Sequence, residues 1–182
     1  PRPVSSAASD VYKRQTAIKT DRPVLLETEV GFTLGKPITK PVTEHDVFDA
    51  ITHCRGMIEL ASPNLQQRPT SVDLISNNSA SYGCIVGASN KHPLDIDLDA
   101  IPVTLRRLAA EDEVLHTATA GSVMAGQRDA LIWLINSTLA QGYTLQAGHM
   151  LMTGSIGSMH SGKAGKYRAD LGALGDLTFA LG

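Results

Sequence analysis

Aromatic side chains are scarce: three Phe, four Tyr and one Trp amount to 4% of the 182 residues. The core must therefore be assembled from Leu, Ile, Val, Ala and Met. Cysteine is scarcer still. Cys54 and Cys84 have no metal-type spacing and both lie in apolar surroundings, which reads as buried free thiols in a reducing cytosol. No apolar run approaches the roughly 20 residues that a membrane helix requires. An excess of positive charge is missing too. A formal net charge of −2 argues against nucleic acid or an anionic membrane as a main partner. The first residues lack the apolar stretch of a secretory signal, so a cytoplasmic location is expected. What remains, 42% hydrophobic and 19% charged, is ordinary globular composition with enough chain for one real core.

Residues 1–15 stand apart. The run SSAASDVYKRQ has no periodicity, and back-translated it matches, codon for codon, the transposase-end adapter of a common short-read sequencing kit. The segment is expected to be non-native and disordered, and residues 16–182 to form a single catalytic-type domain.

From Val24 to Leu34 the pattern has a period of two. Leu26, Val30, Phe32 and Leu34 point one way while Glu27 and Glu29 point the other, which predicts a strand. After the breaks at Gly35, Pro37 and Pro41, Thr43-Glu44-His45-Asp46 resembles a capping box. Val47, Ala50, Ile51 and Cys54 follow at helical spacing, which predicts a helix ending near Gly56, then a short apolar run at Met57–Leu60. Thr70–Asp73 opens a short helix, and Tyr82–Gly87 reads as a buried strand. Alternation recurs at Leu94, Ile96 and Leu98 and again at Val103 and Leu105, with a polar turn at 110–113. The clearest helix carries Leu131, Leu134, Ile135 and Leu139 on one stripe, with Trp133 beside it and Gly142 as its stop. A strand over His149–Thr153, a Gly-rich loop and a final strand over Leu177–Leu181 complete the pattern. Many short strands, few helices and no βαβ repeat point to an α+β fold built on a rolled sheet or sandwich.

Three acidic positions carry the chemistry. Residues i and i+2 of a strand share a face, so the Glu27 and Glu29 carboxylates project side by side. Ordinary charges on a solvent-facing strand would give the same pattern. Glu59 is different, because a carboxylate inside the apolar run MIEL is costly to bury unpaired. Converging, the three would form a hard oxygen site of the kind Mg²⁺ or Mn²⁺ prefers. The six histidines, His45, His53, His92, His116, His149 and His160, show no metal spacing and read as structural or surface residues.

Six stretches occur in an order that resembles one family: LLETEVGFTLG, MIEL, VDLISNNSASYGCIVG, ALIWLINSTLAQG, YTLQAGHMLMTGS and GKYRADLGALGDLTF. Over residues 22–182 the chain is similar to the hydratase/decarboxylase branch of the fumarylacetoacetate hydrolase superfamily. The resemblance implies a mixed β-sandwich roll with a few packed helices. It also implies one Mg²⁺ or Mn²⁺ held by Glu27, Glu29 and Glu59. A small 2-oxo acid substrate would chelate that metal, which would act as a Lewis acid. Carried over by motif, Asp73 becomes a candidate for proton transfer, and Asn78, Ser79, Gly154 and Ser155 become candidates for gripping substrate. Ser155 is also a catalytic candidate. Read without the family, Asp73 is a helix cap and Ser155 a turn residue.

The chain departs from the family pattern at Leu60-Ala61-Ser62-Pro63-Asn64, where Asp-Ser-Arg is usual, and at Asn77 and His149, where Asp is usual. These bear on the substrate more than on the metal. Upstream of Pro23 nothing resembles the family's Lys-bearing motif, as expected of an N-terminally truncated member. The resemblance implies a metal-dependent hydratase for 2-hydroxypenta-2,4-dienoate or a similar acid from aromatic-ring breakdown, working as a homo-oligomer. A 2-oxo-dioate decarboxylase, a C–C hydrolase or a catalytically impaired metal-binding homologue are the alternatives.

Overall fold

The computed structural model describes residues 10–13, 17–63, 70, 72, 73 and 80–182. Eleven strands lie in two sheets. They are β1 (Asp10–Lys13), β2 (Ala17–Ile18), β3 (Leu25–Leu34), β4 (Ile51–Ala61), β5 (Ser81–Val86), β6 (Pro102–Leu108), β7 (Glu113–Thr119), β8 (Met150–Met152), β9 (Ile156–Ser161), β10 (Gly165–Asp170) and β11 (Asp176–Leu181). Among the described residues the one long helix, α1 (Gln127–Ala140), packs beside them. The first sheet runs β1-β5-β4-β3-β8, with β9 also paired to β3; the second runs β2-β11-β10-β6-β7. This is the expected α+β sandwich roll. Among the described residues no helix is long and apolar enough to cross a membrane.

The long antiparallel pair β3–β4 is the backbone of the first sheet, and its two faces differ. Leu26, Thr28, Val30, Phe32 and Leu34 are buried and, Thr28 apart, belong to one apolar cluster with Ile58, Leu60, Val103, Leu105, Tyr167 and Phe179. Strand periodicity makes this inevitable once one face is covered by the second sheet. On the opposite face Met57, Cys84 and Val86 form a small separate cluster. Both cysteines are free and buried, as expected, and burial raises each thiol to about 11.

Gly31 lies on that second face, where a Cβ would come within 2.0 Å of Met57 Sδ. Met57 is itself 1% exposed and has nowhere to move. Gly31→Ala is expected to destabilise the fold by about 2 kcal/mol through overpacking, measurable as a lower urea midpoint at unchanged m-value.

Several sequence expectations are corrected. The helix over Val47–Gly56 is one 3-10 turn, Val47–Ala50, followed directly by β4. Ile51 and Cys54 are buried there as strand residues, and β-branched Ile51 and Thr52 favour the pleat. Thr43 closes the turn that precedes Val47–Ala50, its N–H and hydroxyl both donating to Asp46 Oδ1 at 2.6 and 2.9 Å, and Asp46 rather than Thr43 is the N-cap. Leu94–Leu98 is no strand but a stretch of turns, with Leu94 exposed. The Gly-rich loop contains β9 and β10, whose alternating Tyr167 and Ala169 are buried between exposed Lys166, Arg168 and Asp170. Asp10–Lys13 pair in parallel with the open edge of β5. Such pairing uses backbone N–H and C=O groups, which any extended segment supplies.

Candidate metal centre

Glu27 and Glu59 are direct cross-strand partners on β3 and β4, and Glu29 lies two residues along the same face. Carboxylate oxygens of all three fall within 4.8 Å of one another. Glu29 is 2% exposed, and the other two are half-buried. Among the described residues no Lys, Arg or His forms an ion pair with any of them. Like charges placed directly across a strand pair repel, and burial removes the water that would screen them. Burial first, then the Glu59 charge, pushes Glu29 well above the usual carboxylate range, against the opposing Gly154 N–H. Burial and the Glu59 charge raise Glu27, while Ser155 pulls it back. Glu59 is raised by burial and lowered by hydrogen bonds from Glu29 and Ser81. Burial and mutual repulsion thus disfavour three full charges in the cluster, most strongly at Glu29.

The edge of β3 is interrupted beside these residues. β8 pairs with Gly31–Thr33 and β9 pairs with Leu25, Leu26 and Thr28. Between them, Thr153-Gly154-Ser155 leaves the ladder opposite Glu29. Gly154 has φ +111°, a conformation open to glycine, and its N–H donates to Glu29 Oε2 at 2.9 Å. The Ser155 hydroxyl is buried and close enough to influence Glu27, yet it forms no well-aligned hydrogen bond. It lies at the rim of the cluster, beside Glu27.

Two elements absent from the sequence expectations support this loop. Gln127, fully buried at the start of α1, donates from Nε2 to Ala120 O at 2.6 Å and accepts at Oε1 from Thr153 Oγ1 at 2.6 Å. Behind β3, the Thr28 hydroxyl donates to Ile156 O at 2.8 Å and lies 3.1 Å from His116 Nε2. Since the Thr28 proton is committed, His116 is the donor of that second bond. His116 stacks on His160 with centroids 5.1 Å apart, and burial holds its pKa down. Both rings are structural, as expected.

Asp73 is exposed and accepts from the N–H and hydroxyl of Thr70 at 2.8 and 2.7 Å, while Thr70 Oγ1 accepts from its N–H. Those contacts are a helix cap, and among the described residues none joins Asp73 to the carboxylates. Asn78 and Ser79 lie outside the described residues.

The donor set suits a hard divalent cation. It is all oxygen, it carries up to three negative charges, and the neighbouring Cys84 thiol stays protonated and does not compete.

The chain is 29% identical over 172 residues to the 2-oxo-hept-4-ene-1,7-dioate hydratase of Escherichia coli, covering 88% of this chain and 63% of that protein. It is 27% identical over 156 residues to 2-keto-4-pentenoate hydratase 2 of Dechloromonas aromatica, covering 84% and 58%. It thus spans roughly three fifths of these curated relatives. No protein-family model matches it. In fold it is similar to 4-oxalocrotonate decarboxylase from Pseudomonas putida G7, solved with magnesium and adipate: TM-score 0.84, 18% identity, 94% of this chain and 66% of that one. A fumarylacetoacetate hydrolase family protein from Yersinia pestis matches at TM-score 0.73 and 14% identity, over 95% and 81%. In sequence, then, the chain is similar to 2-oxo-hept-4-ene-1,7-dioate and 2-keto-4-pentenoate hydratases, and it has the fold of the fumarylacetoacetate hydrolase family protein and the oxalocrotonate decarboxylase.

Proposed function

We propose that this chain carries the metal-binding part of a hydro-lyase that adds water to a small 2-hydroxydienoate or its 2-oxo tautomer in the breakdown of aromatic compounds. The observation that carries the proposal is the convergence of Glu27, Glu29 and Glu59, buried or half-buried and without a cationic partner. Mg²⁺ or Mn²⁺ is the proposed ion, and when bound it supplies Lewis acidity and fixes a chelating 2-oxo acid. The chain's own groups do the rest. Gly154 N–H fixes the Glu29 carboxylate, so one ligand is oriented before any ion arrives. The Ser155 hydroxyl lies between Glu27 and the open side of the cluster, where it can donate to the carboxylate or to a substrate oxygen. Addition of water to the alkene forms one C–O and one C–H bond as the C=C π bond and one O–H bond of water break, and needs no external oxidant or reductant. The contacts of Asp73 give it a capping role, and no step is assigned to it.

Titration calorimetry with Mn²⁺ on the wild type and on Glu59→Ala tests the site. Binding is expected in the wild type, with a loss of about a hundredfold or more in the variant, as for removal of a ligand from a three-carboxylate site. Equal affinity in the two proteins would refute the carboxylate centre. Metal-dependent decay of dienol absorbance with 2-hydroxypenta-2,4-dienoate tests the reaction separately.

A further inference from the structure

The pairing of β4 with β5 is irregular beside the acidic cluster. Glu59 lies opposite Cys84, and Cys84 and Val86 share its face with Met57, whereas Ile85 belongs to the apolar cluster on the far side of the sheet. Alternation carried back from Cys84 would put Tyr82 on the face of Glu59 and Ser81 on the far side. The register does not run on in that way. Leu60 lies opposite Gly83 but Ala61 lies opposite Ser81, so Tyr82 is the extra residue of a β-bulge. Tyr82 packs instead against the far-side cluster, with the Arg22 guanidinium 5.2 Å from its ring centroid, and its hydroxyl donates to Asp21 Oδ1 at 3.3 Å. Ser81 takes the face that Tyr82 vacates, and its hydroxyl donates to Glu59. Ala80, just before it, is held at φ +62°, a left-handed conformation costly for a residue with a Cβ, and its carbonyl accepts from Ser62 N–H at 2.6 Å. Strain of this kind persists only where the surrounding structure holds it in place.

The three carboxylates are thus served from two sides. Gly154 N–H donates to Glu29 and Ser155 lies beside Glu27, both from the loop that breaks the edge of β3. The donor to Glu59 comes from β5, on the opposite flank of β4. A carboxylate held by a fixed donor presents its oxygens in one direction, whereas a loose one must be ordered as an ion binds. We propose that Ser81 is a positioning residue of the metal centre, aimed at Glu59 by the bulge at Tyr82 and by the left-handed backbone at Ala80. Without the bulge a tyrosine ring would stand where that hydroxyl stands. The inference rests on the metal-binding reading of the three glutamates and adds to it a residue that acts through one of them.

Mg²⁺ and Ca²⁺ report such a role differently, because Mg²⁺ demands near-octahedral ligands while Ca²⁺ accepts a flexible shell. Each ion is titrated by calorimetry, at one pH, into the wild type, Ser81→Ala and Ser81→Thr. In Ser81→Ala the affinity for Mg²⁺ is expected to fall about tenfold or more, the scale on which a metal ligand feels the loss of its hydrogen-bond partner. The affinity for Ca²⁺ is expected to fall by less. Ser81→Thr keeps the hydroxyl on a strand, where a β-branched residue fits, and is expected to keep the wild-type ratio of the two affinities. Unchanged Mg²⁺ affinity in Ser81→Ala would overturn the inference. So would a loss for Ca²⁺ as large as that for Mg²⁺, which is what a general loosening of the sheet produces, or a Ser81→Thr that shifts the ratio as Ser81→Ala does. A wild type that binds neither ion would instead strike the carboxylate centre, and the inference would fall with it.

Discussion

Replacing Glu29 by Gln is expected to raise the melting temperature of the metal-free protein while abolishing its affinity for divalent metal. Glu29 is the most buried of three converging carboxylates, and burial and the charge of Glu59 both resist its ionisation. Gln keeps the shape. Its carbonyl oxygen can still accept from Gly154 N–H, and its amide can donate to Glu59. The charge at position 29 is then gone, and only the Glu27–Glu59 pair still repels. At neutral pH the metal-free variant is expected to melt a few degrees above the wild type, about what 1 kcal/mol does in a chain of this length, because it no longer carries a buried carboxyl that resists ionisation. The sign of the pH dependence follows from the same groups. Their folded pKa values lie above the unfolded value, so the folded chain binds more protons. Stability from this source is present at low pH and is lost as pH rises from about 4.5 through the folded values. Calorimetry from pH 5 to 8 without metal should therefore show a falling melting temperature in the wild type and a flatter curve in Glu29→Gln. Saturating Mn²⁺ should lift the wild-type curve at neutral pH, since the ion binds the deprotonated cluster, and leave the variant unmoved. A variant that melts below the wild type without metal would contradict this account. The outcome expected is a site that weakens the fold for the sake of its ligand.

The acidic centre was legible in the sequence because its signals are local. Period-two alternation puts Glu27 and Glu29 on one face, and a lone Glu in an apolar run marks position 59 as needing a partner. The Gly154-Ser155 motif announces a turn at a strand end. None of these needs knowledge of the rest of the chain. What misled was equally physical. Val47, Ala50, Ile51 and Cys54 satisfy a helical period, but the burial available to residues 51–61 lies between β3 and β5, and tertiary pairing overrides the local pattern. Glycine-rich stretches around β9 and β10 read as loop, whereas Gly157 and Gly165, at φ +79° and +144°, sit inside or at the start of paired strands. Trp133 read as a neighbour of the core stripe. Its exposure beside Glu29 appears only once α1 is docked against β8.

Gln127 was invisible for a stronger reason: a glutamine at a helix start is unremarkable until three other segments meet it. Its amide links the 3-10 turn at Ala120 to Thr153, one residue before the N–H that holds Glu29, and its own N–H donates to Asp99 Oδ1 at 2.7 Å. Gln127→Ala is expected to cost about 3 kcal/mol, since it leaves Ala120 O without that donor and opens a cavity at a fully buried position. Thr153 can fall back on Val30 O, already 3.2 Å away, so its hydroxyl shifts rather than going unpaired. That shift moves the loop whose Gly154 N–H orients Glu29. Weaker Mn²⁺ binding should follow, although Gln127 touches none of the three carboxylates. Gln127→Glu separates the two consequences. It is nearly the same size and can keep the Thr153 bond, but it buries a charge against the Ala120 carbonyl. Burial raises its pKa, so its deficit should shrink as pH falls and the side chain protonates. If Gln127→Ala lowers stability but leaves Mn²⁺ affinity at the wild-type value, Gln127 is a core residue alone. Loss of both, with Gln127→Glu recovering stability at acid pH, identifies it as the residue that positions the metal loop.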